Sequence, residues 1–424
     1  MVCWSDFPYR YKEKQVPIEL GRTDIVDHDT ADALPKKLEF TWFDVSVILF
    51  SIATFVLDTA SDSFLAYIHY KNYSNGERAS SVYFVLTLVF VLVPTVTMTA
   101  FSLRWYVIDH KYAKRKVPLC RWIVRTLLLF FQLGPVLRYV DCILYGLKSQ
   151  KDKSKLKQKE YFQEMLYEDV DATLLRLFES FMEAAPQLLL QIYILLKIEF
   201  SMDEPISWKV IVQMVSVLIS LVSISWAISA YFRALRFSLP KKKNMGWIAT
   251  IFHASWHFFV ISARIFALGL FASQLPEYLP VVCILHWFIM TLWIISMKTN
   301  FCINRFEEVL YNAVVGVIFI FCYFNPVDSP TRYRYFFFYS VMITENSILM
   351  LIWNFYGNNF LNYRLPIFMV HYALFLLGFA FMITYYLCFH PTKNVKVFSN
   401  RTEMINGPST DHYLVNKERC IVRL

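Results

Sequence analysis

The sequence predicts an all-α, polytopic membrane protein, and three observations support this prediction. The 424 residues are 57% hydrophobic and 18% charged, with a mean hydropathy of +0.41, which is more apolar than ordinary soluble domains. The apolar residues form long runs, most of which reach the roughly 20 residues that a helix needs to cross a bilayer. The 42 Lys and Arg residues lie between those runs, a distribution that favours contact with a lipid surface over nucleic acid.

The ten apolar runs lie at residues 43–69, 81–107, 122–147, 172–198, 208–232, 247–271, 278–297, 309–324, 335–356 and 366–390. Two of them are poorly suited to a simple crossing. The run at 122–147 is interrupted by Gly134-Pro135, and the run at 309–324 is short. Because lipid tolerates a broken helix only where protein or water surrounds it, these two runs are candidates for re-entrant segments.

The distribution of positive charge distinguishes between two topologies. If all ten runs crossed from a cytosolic N-terminus, the loop at 148–171, with six lysines, would lie outside. The loop at 199–206, which has acids and no Lys or Arg, would lie inside, opposite to the positive-inside rule. If the third and eighth runs instead enter and return on the cytosolic side, the basic loops 148–171 and 233–246 both become cytosolic. The sequence therefore predicts about eight crossings, two re-entrant segments and two cytosolic termini.

This topology divides the membrane region into two halves of five runs, each with a non-crossing third member, as in an internal structural repeat. The predicted organisation is a cytosolic tail at 1–41, a first membrane repeat at 42–233, a basic linker at 234–246, a second repeat at 247–390 and a cytosolic tail at 391–424. We expect the two repeats to be pseudosymmetric.

Charged residues inside apolar runs are the most informative feature, because each costs roughly 2.5–3.5 kcal/mol at the bilayer centre. They include Asp44, Asp58 and Asp62 in the first run, Arg125, Arg138 and Asp141 in the third, Arg176, Glu179 and Glu183 in the fourth, Arg264 in the sixth and Glu345 in the ninth. Two interpretations stay open. The charges could pair with one another, with Arg264 neutralising Asp58, Asp62 or Glu345. Alternatively, they could form a polar track whose surplus acid suits a cationic group such as a choline or ethanolamine amine.

Other motifs are weaker. His253 and His257 have the i, i+4 spacing of metal ligands but lack a third ligand and the glutamate of a zincin, so packed or hydrogen-bonded histidines are expected and no metal is predicted. The sequence has no phosphate-binding GxxxxGK[ST] loop and no GxSxG nucleophile motif, so we predict neither an enzyme nor a cofactor. Asn72 begins an Asn-Tyr-Ser glycosylation sequon in a predicted outside loop.

The N-terminal tail contains two Asp-x-x-Asp tetrapeptides, Asp24–Asp27 and Asp29–Asp32. Apoptotic caspases prefer this pattern with a small residue after the cut, and Ala33 follows the second one. Because proteases need extended and accessible chain, the polar tail is a suitable context. Cleavage after Asp27 or Asp32 is therefore a hypothesis, and an ordinary acidic linker is its alternative.

Several motifs together carry a family resemblance. They are LDTASD at 57–62, FQLGP at 131–135, LLRLFESFMEAAPQL at 174–188, SWA at 225–227, YFRALR at 231–236 and YFN at 323–325. With them, the chain resembles the XK-related family over about residues 42–390. The resemblance implies two pseudosymmetric halves with re-entrant helices, in agreement with the charge distribution.

The XK-related family includes phospholipid scramblases that caspase cleavage activates in dying cells, where they expose phosphatidylserine. The resemblance matches acidic residues of the family's lipid path to Asp44, Asp58, Asp62 and Glu179 or Glu183, and a basic one to Arg264. The lipid path predicted here adds Arg176 and Glu345. The N-terminal position of the Asp-x-x-Asp motifs is similar to that in the nematode cell-death member.

The resulting hypothesis is an ATP-independent phospholipid scramblase of the plasma membrane, activated when a caspase removes the N-terminal tail. Its expected partners are membrane phospholipids, an apoptotic caspase and, as a candidate, a single-span chaperone subunit. Two alternatives stay open at this stage: a non-scrambling scaffold that docks a partner protein, and an ion channel or solute transporter.

Overall fold

The structure is a computed structural model that describes residues 39–76, 78–112, 119–131, 133–197, 208–238, 244–299, 301–302, 304–326, 331–356 and 364–390. Within these ranges the chain is 91% helical and has no strand. The predicted all-α fold class is confirmed. Asp27, Asp32 and most of both predicted tails lie outside the described residues.

The helices follow the apolar runs, with ends that extend a few residues beyond most of them. They are α1 Trp42–Ser74, α2 Arg78–Tyr112, α3 Leu119–Phe130, α4 Gly134–Lys151, α5 Lys155–Glu179, α6 Ala185–Lys197, α7 Trp208–Ser238, α8 Trp247–Gln274, α9 Leu279–Ser296, α10 Arg305–Phe321, α11 Arg332–Tyr356 and α12 Arg364–Thr384. Short π-helical turns at Ser180–Ala184 and Tyr385–Phe389 and a 3₁₀ turn at Pro276–Tyr278 complete them.

Seven helical segments among the described residues are long and apolar enough to cross a membrane. They are Trp42–Ser74, Ser80–Val107, Gln213–Ser238, Trp247–Gln274, Pro276–Ser296, Arg332–Tyr356 and Arg364–Phe389. The two runs predicted to be re-entrant supply none of the seven. The fourth run, predicted as a further crossing, is also missing from them, because the π turn Ser180–Ala184 divides it and charged residues interrupt it. The chain is a multi-pass membrane protein.

The predicted interruption of the third run is confirmed. Helix α3 ends at Phe130, and the Leu133 amide donates to the Leu128 carbonyl at 2.7 Å before α4 begins at Gly134-Pro135. Proline suits the first turn of a helix, where its missing N–H would have no partner in any case. A Cβ on Gly134 would lie 2.8 Å from the side chain of Leu129, so the two short helices meet closely at this glycine.

The connection at 148–171 between the third and fourth apolar runs is largely helical, because α5 begins at Lys155. The segment between α4 and the fourth apolar run contains no glycine or proline after residue 152 and is rich in Lys, Gln, Glu, Leu and Met, which are good helix formers. A polar sequence alone does not prevent a helix when its local preferences favour one.

The chain forms two compact units, each assembled from separated segments. Described residues within 39–56, 94–177 and 230–246 form the first, whose core contains Tyr139, Tyr145 and Phe162. The remaining described residues form the second, in which α8 packs against α6, α11 and α12. The pseudosymmetry of halves at 42–233 and 247–390 stays a prediction.

Candidate functional site

Asp44 caps the first helix. Its carboxylate accepts hydrogen bonds from the Thr41 amide at 2.9 Å and the Thr41 hydroxyl at 2.7 Å, and its own amide donates to that hydroxyl at 3.3 Å. This reciprocal arrangement satisfies amide donors that a helix N-terminus otherwise leaves without partners. Arg233 lies 4.0 Å from the same carboxylate, which therefore has a structural role at the start of α1.

Arg138, in the first unit, is fully buried and pairs with acids that the sequence analysis did not assign to it. Its guanidinium donates to Glu168 at 3.1 Å and to Asp171 at 2.7 Å, both on α5. It also lies 4.5 Å from the centre of the Tyr106 ring. Because the guanidinium binds two carboxylates of the next helix, this cluster ties α4 to α5 and is a buried ion-pair network rather than an open track.

Asp58, in the second unit, is held by hydroxyl groups of α7. The Ser220 hydroxyl donates to one carboxylate oxygen at 3.3 Å, and the Ser223 hydroxyl donates to the other at 3.2 Å. Ser61, one turn along α1, lies 3.5 Å from Ser216. Ser216, Ser220 and Ser223 are thus on the face of α7 turned to Asp58 and Ser61.

We call these five side chains, together with Gln213, the hydroxyl stripe; its members on α7 are Gln213, Ser216, Ser220 and Ser223. Their spacings of three, four and three residues place them on one helix face. Gln213 and Ser216 are partly exposed, whereas Ser220, Ser223 and Asp58 are buried. The spacing of these polar residues in the sequence is a signal from which the stripe could have been found.

The other predicted acids of this region are also buried. Asp62 is 4% exposed, one turn beyond Asp58 on α1. Glu179 accepts a long hydrogen bond of 3.4 Å from the Ser180 hydroxyl, and Glu183 lies within the π turn. The sequence spacing of Arg176, Glu179 and Glu183, at i, i+3 and i+7, would place them on one face of a regular α-helix. The π turn contains one extra residue, so residues after it are rotated by about 100° relative to such a helix.

Arg176, in the first unit, is 3% exposed, and its guanidinium lies 5.2 Å from the centre of the Phe55 ring. An aromatic face attracts a cation through its quadrupole, so this contact contributes to holding the buried charge.

Of the three acids predicted as candidate partners of Arg264, which were Asp58, Asp62 and Glu345, the structure pairs it with Glu345. Its guanidinium donates to Glu345 at 2.7 Å, to the Asn346 side chain at 2.7 Å and to the Ile320 carbonyl at 2.9 Å. The Arg264 side chain is fully buried, while that of Glu345 is 30% exposed. The pairing interpretation therefore applies to this cluster.

His286 completes the Arg264 cluster and was not predicted. Its Nδ1 lies 2.9 and 2.8 Å from the two oxygens of Glu345, and its Nε2 lies 3.0 Å from the Phe319 carbonyl. Both ring nitrogens thus face acceptors, and a neutral imidazole can donate from only one of them.

The two histidines of α8 have ordinary packing roles. Nδ1 of His253 lies 2.8 Å from the Ser229 hydroxyl, and the His257 ring stacks on Trp256 with centroids 4.5 Å apart. Within the described ranges, no group of three or more His, Cys, Asp or Glu residues could hold a metal ion. Asn72, the predicted glycosylation residue, lies in the last turn of α1.

A helical, multi-pass fold with buried carboxylates and hydroxyls defines a membrane protein with a polar interior. Comparison with known proteins identifies its family. A family model described as XK-related protein matches residues 46–391. Two relatives named XK-related protein 8 are 30% identical: that of Tetraodon nigroviridis, over 84% of this chain and 86% of its own length, and that of Gasterosteus aculeatus, over 83% and 85%. The chain belongs to the XK-related family, as its motifs indicated.

Proposed function

We propose that this protein is an ATP-independent phospholipid scramblase of the plasma membrane that exposes phosphatidylserine during apoptosis. The observation that supports the proposal most directly is the hydroxyl stripe beside Asp58. Hydroxyl and carboxylate groups can replace the water around a lipid headgroup while its acyl chains stay in hydrocarbon. An uncatalysed headgroup has no such partners in the bilayer core, where an unsatisfied polar group costs several kcal/mol.

The dimensions of the stripe suit this role. Gln213 and Ser223 are ten residues apart, which corresponds to about 15 Å along a helix and to about half of a hydrocarbon core of roughly 30 Å. Exposure decreases along it, from the partly exposed Gln213 to Ser223 at 2%. In the proposed cycle this arrangement is the closed form, and opening exposes Asp58 and the inner serines to a headgroup. The chemistry at Asp58 favours a cationic amine.

Activation is proposed to follow cleavage of the N-terminal tail after Asp27 or Asp32. The tail leads directly to Thr41 and Asp44, where the capping contacts and Arg233 fix the start of α1. Because α1 also carries Asp58 and Asp62, a change at its start is transmitted along a continuous helix to the acids. A hundredfold change in the open population needs only ~2.7 kcal/mol of differential stabilisation.

The test is reconstitution of the purified full-length chain in liposomes with a fluorescent lipid that dithionite can quench. The full chain and a chain that lacks residues 1–32 are compared, and we expect faster loss of fluorescence from the shortened chain. Asp58→Asn and Ser223→Ala should then slow the shortened chain. Ser225→Ala is the matched control, because the Ser225 hydroxyl is buried on the same helix but donates to the Leu221 carbonyl at 2.7 Å.

Two results would contradict the proposal. The first is lipid exchange at the rate of protein-free liposomes for both chains, which would favour the scaffold alternative. The second is equal slowing by Ser223→Ala and Ser225→Ala, since this would mean that the hydroxyls act through folding. A parallel measurement of ion flux in the same liposomes distinguishes the channel or transporter alternative.

A further inference from the structure

Arg125, in the short helix α3, is a buried cation that the fold leaves without a counterion among the described residues. The residue is 5% exposed, and its guanidinium carbon lies 4.1 Å from the centre of the Tyr106 ring. Within the described part of the chain it makes no ion pair and donates to no acceptor. A guanidinium has five N–H donors, and a ring face satisfies none of them with a lone pair.

The neighbouring arginine is in a different situation. Arg138 lies 4.5 Å from the centre of the same Tyr106 ring, but Glu168 and Asp171 accept its hydrogen bonds. Among the described residues, these two carboxylates accept hydrogen bonds from Arg138 and not from Arg125. Of the two arginines at Tyr106, Arg138 pairs with carboxylates of the described fold, and Arg125 is available to bind an external anion.

The surface around Arg125 indicates where that anion would come from. Helix α3 and the turn after it expose large apolar side chains: Ile123 at 53%, Val124 at 46%, Leu127 at 53%, Phe130 at 72% and Phe131 at 66%. A contiguous apolar surface of this kind belongs in hydrocarbon rather than in water. Arg125 is on the opposite, buried face of the same helix.

The sequence before α3 is basic, with Lys111, Lys114, Arg115 and Lys116, and the charge distribution places it in the cytosol. Arg125 is six residues after Leu119, about 9 Å along the helix axis. A helix that enters the bilayer from the cytosolic side therefore carries Arg125 to about the level where lipid phosphates meet acyl chains. Guanidinium groups bind phosphate with two parallel hydrogen bonds, which gives both strength and geometric selectivity.

We propose that Arg125, supported by Tyr106, binds the phosphodiester of a phospholipid from the cytosolic leaflet. The ring of Tyr106 holds the guanidinium from one side, and its N–H donors are directed to the phosphate. The site recognises the phosphate that all common phospholipids share, so it does not select among headgroups. It uses no residue of the hydroxyl stripe, and it requires no transport of the bound lipid.

The experiment measures lipid retained by the purified full-length protein in detergent, using native mass spectrometry. The probes are dioleoyl phosphatidylcholine and dioleoylglycerol, which has the same chains without the phosphate. Wild-type protein should retain the phosphatidylcholine in preference to the dioleoylglycerol. Arg125→Gln should reduce that preference about tenfold, because it removes a charge-assisted, two-point hydrogen bond. Lys71→Gln, a change of the same charge at an exposed position of α1, should leave the preference unchanged.

Two further measurements keep the proposal open to refutation. Arg125→Lys preserves the charge against Tyr106 and loses the planar fork, so it should reduce retention by a few-fold even if Arg125→Gln fails to fold. Inorganic phosphate at millimolar concentration is the competing small anion. Displacement of the lipid by it would assign the site to a free anion and overturn the proposal. Unchanged phosphatidylcholine preference in Arg125→Lys and Arg125→Gln would overturn it as well. Because no transport is measured, these outcomes are independent of scramblase activity.

Discussion

Replacing Glu345 by glutamine should destabilise the protein strongly, because the change removes the one carboxylate that Arg264 and His286 share. The Arg264 guanidinium would keep Asn346 and the Ile320 carbonyl but would lose its charged partner at 2.7 Å while fully buried. Breaking a buried ion pair costs about 3–5 kcal/mol. Since the Glu345 side chain is 30% exposed, we expect the lower end, about 3 kcal/mol.

A loss of about 3 kcal/mol corresponds to roughly a hundredfold change in a folding equilibrium. The assay heats detergent extracts of the full-length protein, tagged with a fluorescent protein, and measures the surviving monodisperse peak by size-exclusion chromatography. Glu277→Gln is the matched control, because Glu277 is an exposed acid in the turn before α9. The melting temperature of Glu345→Gln should fall by several degrees, and that of Glu277→Gln should stay unchanged.

The double variant Arg264→Gln, Glu345→Gln separates pairing from lipid contact. It leaves no unpaired arginine at this position, so it should recover much of the lost stability. If Glu345→Gln melts like Glu277→Gln, the structural interpretation of the cluster is refuted. A double variant that is stable but inactive in the liposome assay would instead indicate that these residues contact the moving lipid.

Three other parts of the molecule give predictions of their own. Ser220→Ala and Ser223→Ala combined should slow lipid exchange about as much as Asp58→Asn, because both variants disrupt the contacts between the Asp58 carboxylate and the hydroxyls of α7. Equal rates for the double serine variant and wild type would contradict this. Burial raises the pKa of Asp169, on the part of α5 that precedes the fourth apolar run, to about 6, with Arg233 opposing the shift and Asp44 adding to it. The folded state then binds the proton of Asp169 more tightly than the unfolded state does. The contribution of Asp169 to the free energy of unfolding should therefore decrease as pH rises from about 4 to 6 and level off above that. Asp169→Asn should flatten a plot of melting temperature against pH over this window. An epitope inserted in 148–171 should bind antibody only after cells are permeabilised, and labelling of intact cells would refute the predicted topology.

The class of this protein and much of its helix layout could be predicted from sequence, because they depend on local properties. A run of about 20 apolar residues is stable in lipid as a helix whatever its neighbours are, since all its backbone hydrogen bonds are internal. The break at Gly134-Pro135 was predictable for the same reason, because proline acts on the backbone of its own turn. The charged residues inside apolar runs were likewise identifiable one at a time.

The partners of those charges were decided by tertiary structure. Arg138 is bound by Glu168 and Asp171, residues 30 and 33 positions away, and Asp58 by Ser220 and Ser223, 162 and 165 positions away. Helical periodicity tells which residues share a face, but it contains no information on which face of another helix will lie opposite. That choice depends on how side chains of many helices pack together at once. The sequence therefore determined that buried charge exists, and packing determined which acids are paired with arginine and which face a row of hydroxyls.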